Sequence, residues 1–90
     1  MDFVSTYKTN RLLQGDVIYA LYEDLHHNIW VGTSQGLKQL NPQTQKVRKY
    51  TISDGLPSNS ISAIEGDANG NLWISTNFGI SRFNPSTQTF

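Results

Sequence analysis

An all-β fold of two four-stranded antiparallel units is predicted by three features of this 90-residue sequence. The chain repeats itself at an offset of 43 residues, no segment has a useful helical period, and its short apolar runs are bounded by Gly, Pro, Asn and Asp. Shifted by 43, the sequence falls on itself without a gap and gives 14 identities in 47 positions. Nine of these lie in the 22 positions from Asp24 to Gln45, aligned with Asp67 to Gln88. Most differences in that window keep their class: Ile29 with Leu72, Val31 with Ile74, Leu37 with Ile80 and Leu40 with Phe83. The period lies in the range of four-stranded β-propeller blades, about 40–50 residues.

Each unit reads as strands A to D. Strand A is Val17–Glu23 and, in the second copy, Ser60–Glu65, where Ile61, Ala63 and Ile64 stand among polar residues. A turn follows at Asp24–Asn28 and Asp67–Asn71, and Asn69-Gly70 is a strong hairpin signal because both residues tolerate positive φ. Strand B, Ile29–Thr33 and Leu72–Thr76, is a near-continuous apolar run, which predicts burial on both faces. Gly36 and Gly79 open strand C, which Asn41-Pro42 and Asn84-Pro85 end, since proline cannot donate to a ladder. Strand D, Lys46–Thr51, mixes charge with Val47 and Tyr50, as an exposed edge should. The loop Ser53–Asn59 leads back to strand A.

Phe3–Lys8 aligns with strand D of the first unit, so Phe3, Val4 and Tyr7 predict an outer strand with no blade of its own. The units then run over about 9–51 and 52–90, and residues 3–8 supply the outer strand missing from the last blade. Two blades with one split across the termini leave apolar faces and a strand edge uncovered. Propellers usually need about 4–8 blades. The expected partner is therefore the chain itself, as a head-to-tail trimer or tetramer closing a 6- or 8-bladed ring, or the remaining blades of a parent protein.

Composition narrows the functional classes. Seven basic and seven acidic residues give zero net charge, which argues against a nucleic-acid partner. Without cysteine there is no disulfide, thiolate zinc site or thiol nucleophile. No apolar run approaches the roughly 20 residues of a membrane span, so no membrane contact is expected of this segment. The start, Met1–Ser5, lacks the layout of a signal peptide. The 31 Ser, Thr, Asn and Gln residues suit short strands joined by polar turns. No cofactor is expected.

The second unit, from Asp67 to Thr87, carries Asp-x-x-Gly-Asn-Leu-Trp-Ile-x-Thr-x-x-Gly-Ile-x-Arg-Phe-Asn-Pro-x-Thr, preceded by Asp54-Gly-Leu-Pro-Ser-Asn-Ser-Ile61. This pattern resembles the two-component regulator propeller repeat across essentially the whole chain. The first copy departs at two turns, where His26-His27 replaces Asn-Gly and Gln14-Gly15-Asp16 replaces Pro-Ser-Asn. The resemblance implies a piece of the periplasmic or extracytoplasmic sensor region of a bacterial signalling protein, whose histidine kinase or diguanylate cyclase output lies elsewhere. It also implies a ligand of the carbohydrate class. A looser resemblance, to streptogramin lyases, offers an enzyme reading, but no histidine and glutamate constellation of that kind can be placed here. A third reading is an excised or engineered blade pair that assembles with no ligand of its own.

Among residues with chemistry, the His26-His27 pair reads as a solvated turn rather than a metal site, because adjacent side chains on a hairpin tip diverge. Asp67–Asn71 fails calcium-loop spacing and reads as a turn closed by side-chain hydrogen bonds. Trp30 and Trp73 sit in strand runs and are expected in the core. The carboxylates Glu23, Asp24, Glu65 and Asp67 recur near the end of strand A in both units, which points to structure rather than to a catalytic pair. No catalytic residue is assigned. Phe78, at a B–C turn beside Asn77, is the leading ligand contact. Gln35 stands at the equivalent turn, and Arg11 and Asp54 occupy equivalent D–A loop positions.

Overall fold

The computed structural model describes residues 17–90. The strand predicted at Phe3, Val4 and Tyr7, and the loop position Arg11, lie outside the described residues. Strands β1 (Ile18–Glu23), β2 (Ile29–Thr33), β3 (Gly36–Asn41) and β4 (Lys46–Tyr50) form one antiparallel sheet in chain order. Strands β5 (Ile61–Gly66), β6 (Leu72–Thr76) and β7 (Gly79–Phe83) form a second, followed by a single Asn84–Thr89 bridge. The all-β expectation holds, and predicted strands A to D match the observed ones to within a residue or so at each end.

The two sheets share one register. Ile18 pairs with Thr33 as Ile61 does with Thr76, and Trp30 pairs with Gln39 as Trp73 does with Arg82. Period-two alternation then assigns faces. Trp30, Leu37 and Tyr50 share one face of the first sheet and enter a common core with Leu56, Ile61, Leu72, Ile74 and Phe83. Ile29, Val31 and Leu40 lie on the other face with Ile18, Leu21 and Val47. In the second unit, the equivalents of Ile29, Val31 and Leu40 are Leu72, Ile74 and Phe83. One sheet's Trp face therefore packs on the next sheet's Leu–Ile–Phe face, and like faces never meet.

Strand A corrects the simple alternation. A bulge interrupts the register between Ile61 and Ala63, as one does between Ile18 and Ala20. The extra residue turns Ile61 and Ile64 together toward the first sheet and leaves Ala63 exposed on the outward face. Strand B shows the second departure. All five residues of β2 are buried as expected, but Trp73 in β6 is 43 % exposed. Its face has no sheet against it among the described residues. Strand D is also less open than its charges suggest, since Tyr50 is buried. Burial raises the Tyr50 hydroxyl pKa, against the opposing charge of Arg48, whose guanidinium carbon lies 5.5 Å from the ring centroid.

Aromatic rings fill the centre of the joint. Trp30 stacks on Tyr50 at 6.1 Å and meets Phe83 edge-on at 5.5 Å, while Phe90 packs on Phe83 at 4.5 Å. Such pairs contribute about 0.5–1.5 kcal/mol each beyond their buried area. The connection between sheets is ordered too. Thr51 and Asp54 form a capping box around the 3-10 turn Ile52–Asp54, and Leu56 anchors the loop in the core.

Two glycines let the sheets approach. A Cβ on Gly32, in β2, would sit 2.5 Å from Ile61 Cγ2 of the second sheet. A Cβ on Gly66, in β5, would overlap the Tyr22 hydroxyl of the first. Each sheet thus offers one socket and one knob to the other. Gly32→Ala should cost about 1–3 kcal/mol by overpacking. In an Ile61→Ala background, where the opposing methyl is gone, the same change should cost markedly less. Urea unfolding of the four chains of this cycle measures the difference.

Candidate functional site

Both sheets run the same way, since Tyr22 meets Gly66 near one end of the strands and Gly32 meets Ile61 near the other. The A–B turns therefore share one end, and the B–C turns and the D–A loop share the opposite end.

At the A–B end, one carboxylate organises each hairpin. Asp24 Oδ1 accepts the backbone N–H of His26 at 2.9 Å and of Asn28 at 3.0 Å, while Oδ2 accepts the Trp30 indole N–H at 2.8 Å. Asp67 repeats the set with Asn69 at 2.8 Å, Asn71 at 3.0 Å and the Trp73 indole at 3.0 Å. The backbone closes the loop, with Asp24 N donating to Asn28 O and Asp67 N to Asn71 O. The Trp73 indole N–H, helped by the backbone N–H groups of Asn71 and Asn69, holds the Asp67 carboxyl below its ordinary value, with burial acting in the opposite sense. The spacing Asp-x3-Asn-x-Trp, identical in both units, was the visible signal for this arrangement.

Between these turns lies a cleft of about 280 Å³, lined by Tyr22, Asp24, His26, Asp67, Asn69 and Pro85 among others. Its two aspartates are already committed to three N–H donors each. His27 Nδ1 lies 2.9 Å from Glu23 Oε2 on the exposed surface. Among the described residues no three His, Cys, Asp or Glu side chains gather as metal ligands.

At the B–C end, Thr33 and Thr76 hold the turns. Thr33 Oγ1 donates to Gly36 O at 2.8 Å and accepts the Gln35 N–H at 2.9 Å. Thr76 Oγ1 does the same with Gly79 O at 2.9 Å and the Phe78 N–H at 3.2 Å. Gly36 and Gly79 take φ of 120° and 119°, a region that L side chains rarely enter. The turn backbone is thereby fixed, while the Phe78 ring stands 80 % exposed beside Asn77. Asp54, at the same end, accepts the Thr51 N–H at 2.9 Å as part of the capping box, which gives its carboxylate a structural task. Asn41 and Asn84 build the C–D turns in the same manner, each Oδ1 accepting two backbone N–H groups before Gln45 and Gln88, both at φ 58°.

The sequence pattern named two component regulator propeller matches residues 12–35 and 55–78, together just over half of the chain. The chain belongs to the two component regulator propeller family. Among the described residues both matched stretches run through strands A and B into the B–C turn, so each regulator-propeller unit contains its Asp–Trp hairpin and Thr-held turn. Two crystal structures from B. thetaiotaomicron are similar at TM-score 0.66 and 26 % identity over 77 % of this chain. Both are of the extracellular domain of BT4673, described in one as a one component system and in the other as a hybrid two component system. The regulator-propeller segment spans 10 % of those chains. No curated protein matches it.

Two expectations follow from the hairpins. His27 adopts φ 66° where the second unit has Gly70 at φ 83°. His27→Gly should therefore raise stability by about 1 kcal/mol, since the exposed contact with Glu23 that it removes is worth little. Chemical denaturation measures this. The lowered Asp67 pKa makes its contacts stabilising above the ordinary carboxylate range, and that contribution is lost as pH falls through the depressed value. Thermal melting of Asp67→Asn should accordingly depend less on pH than that of the parent chain as pH falls through and below the ordinary carboxylate range.

Proposed function

We propose that this chain is a non-enzymatic segment of an extracytoplasmic sensor propeller, and that its B–C turn end faces a carbohydrate-type ligand. The observation that carries the reading is that both repeat units match the regulator-propeller pattern. The extracellular placement of the two similar structures supports the location. No helix among the described residues is long and apolar enough to cross a membrane. Commitment of Asp24 and Asp67 to the hairpins, and of Asp54 to a cap, supports a non-enzymatic role, because a general acid or base must be free to exchange its proton.

Phe78 supports the choice of end. Its ring is exposed while its backbone is held by Thr76, so it offers a flat apolar surface at little ordering cost, and the Asn77 and Gln35 amides beside the turns can address hydroxyl groups. Titrating the isotope-labelled chain with a panel of neutral and acidic oligosaccharides tests this by amide NMR. Shifts should concentrate at Gln35, Asn77 and Phe78, fall at least tenfold in apparent affinity in Phe78→Ala, and be accompanied by no cleavage product. Shifts confined to the A–B cleft, or release of a shortened sugar, would overturn the reading.

A further inference from the structure

Asn69 and Gly70 form the tip of the second A–B hairpin, at positions that the first unit gives to His26 and His27. Both are exposed, and a Cβ built on Gly70 would meet no atom within 4 Å. Among the described residues the Asn69 carboxamide makes no hydrogen bond; only its backbone N–H is engaged, by Asp67 Oδ1 at 2.8 Å. We propose that Asn69 is a site of spontaneous deamidation, converting to aspartate and isoaspartate through a succinimide closed with Gly70. The step balances with water alone. Base removes the Gly70 amide proton, the nitrogen attacks Asn69 Cγ, and the Cγ–Nδ2 bond breaks. Nitrogen Nδ2 leaves as ammonia, protonated from solvent. Water then adds to one of the two ring carbonyls. Breaking the bond from the ring nitrogen to Cγ gives aspartate, and breaking the bond to the α-carbonyl gives isoaspartate, whose chain runs through Cβ.

Three requirements select this asparagine among the described ones. The following residue must carry an N–H, and Asn41 and Asn84 precede prolines, which have none. That nitrogen must be reachable, and Asn28 and Asn71 precede the buried, bulky Ile29 and Leu72. Glycine, without a Cβ, crowds the attack least. The side chain and the next amide must also be free to turn. Asn59 Oδ1 accepts the Ile52 N–H at 2.9 Å, and the Ser60 N–H that follows it donates to Ser58 Oγ at 3.1 Å. After Asn77, the Phe78 N–H is held by Thr76 Oγ1, and Phe78 adds a large ring. Asn69 meets all three requirements. The Gly70 N–H does donate to Asp67 O, but at 3.2 Å, the long limit of such bonds. An exposed turn tip opens at little cost.

The reaction reaches the hairpin's organising carboxylate. Asp67 Oδ1 accepts the N–H groups of both Asn69 and Asn71, while Oδ2 accepts the Trp73 indole N–H. An isoaspartyl link adds one backbone atom between the first two donors and sets a new carboxylate beside Asp67. Oδ1 then cannot keep both bonds in their present geometry. Plain aspartate at 69 brings the same charge along the original backbone path. The first unit, with histidines at its tip, has no counterpart of this reaction.

The test holds the purified full chain at neutral and at mildly alkaline pH, then maps its peptides by mass spectrometry. An isoaspartyl methyltransferase serves as the probe of the iso form. Conversion should be fastest at Asn69, accelerate with hydroxide and yield more isoaspartate than aspartate. It should run within about tenfold of the rate in a peptide of residues 65–74, since the turn tip opens easily. Gly70→Ala should slow it at least tenfold. Asn69→His with Gly70→His installs the tip that the first unit already folds, and this chain should keep its melting temperature through the same incubation. The separated isoaspartyl chain should melt below Asn69→Asp, which has the charge without the extra atom. Slower conversion of the folded chain than that bound, or equal conversion at another described asparagine, would overturn the site. Coincident melting of the isoaspartyl and Asn69→Asp chains would overturn its effect on the hairpin.

Discussion

Each hairpin of this molecule depends on one carboxylate that serves three donors. An antiparallel turn leaves backbone N–H groups without ladder partners, and a strand-B tryptophan brings an indole N–H that costs free energy if buried unpaired. Asp24 and Asp67 answer both needs at once, tying the turn to the ring that will fill the space between sheets. The Trp73 ring is aimed in this way with no second sheet against it among the described residues. That the Trp73 indole keeps its bond while its face is open shows the arrangement to be local, independent of tertiary cover.

This locality explains what the sequence made legible. The nine identities in the 22-residue window are mostly turn makers: Asp24, Asn28, Thr33, Gly36, Asn41 and Gln45 with their counterparts each set a turn bond or a positive φ. Several core positions differ in size between the units, as Leu40 and Phe83 do. Strand order, turns and the period could therefore be read from the chain. The bulge that turns Ala63 outward could not, since it follows from register and not from residue type. Nor could the sockets at Gly32 and Gly66, because neither glycine recurs, and a search for repetition passes over what is not repeated.

The candidate ligand residues divide along the same line. Asp54 and the aspartates of the A–B turns carry charges that attract a functional reading, and each accepts hydrogen bonds within the chain, Asp54 through Oδ2 alone. Phe78 has no such internal partner and differs from Gln35 at the equivalent turn. In a molecule built by duplication, the fold is carried by what the two units share. Particular function is to be sought where they diverge on a shared frame, and the B–C turns offer a rigid frame with variable tips.

Reciprocal knobs and sockets also bear on how such an array reaches its native arrangement. Tandem repeats of similar sequence are prone to misassembly, in which a unit pairs with the wrong neighbour or with another molecule. Near-identical apolar faces would make those wrong pairings almost as favourable as the right one. Here Ile61 enters Gly32, and Tyr22 covers Gly66, and neither pair recurs one period along, where Ser75 and Glu65 stand in the places of Gly32 and Tyr22. The joint is thereby addressed. A few side chains make the correct neighbour distinguishable from its close relatives, so that the order of blades along the polypeptide is retained as the chain folds.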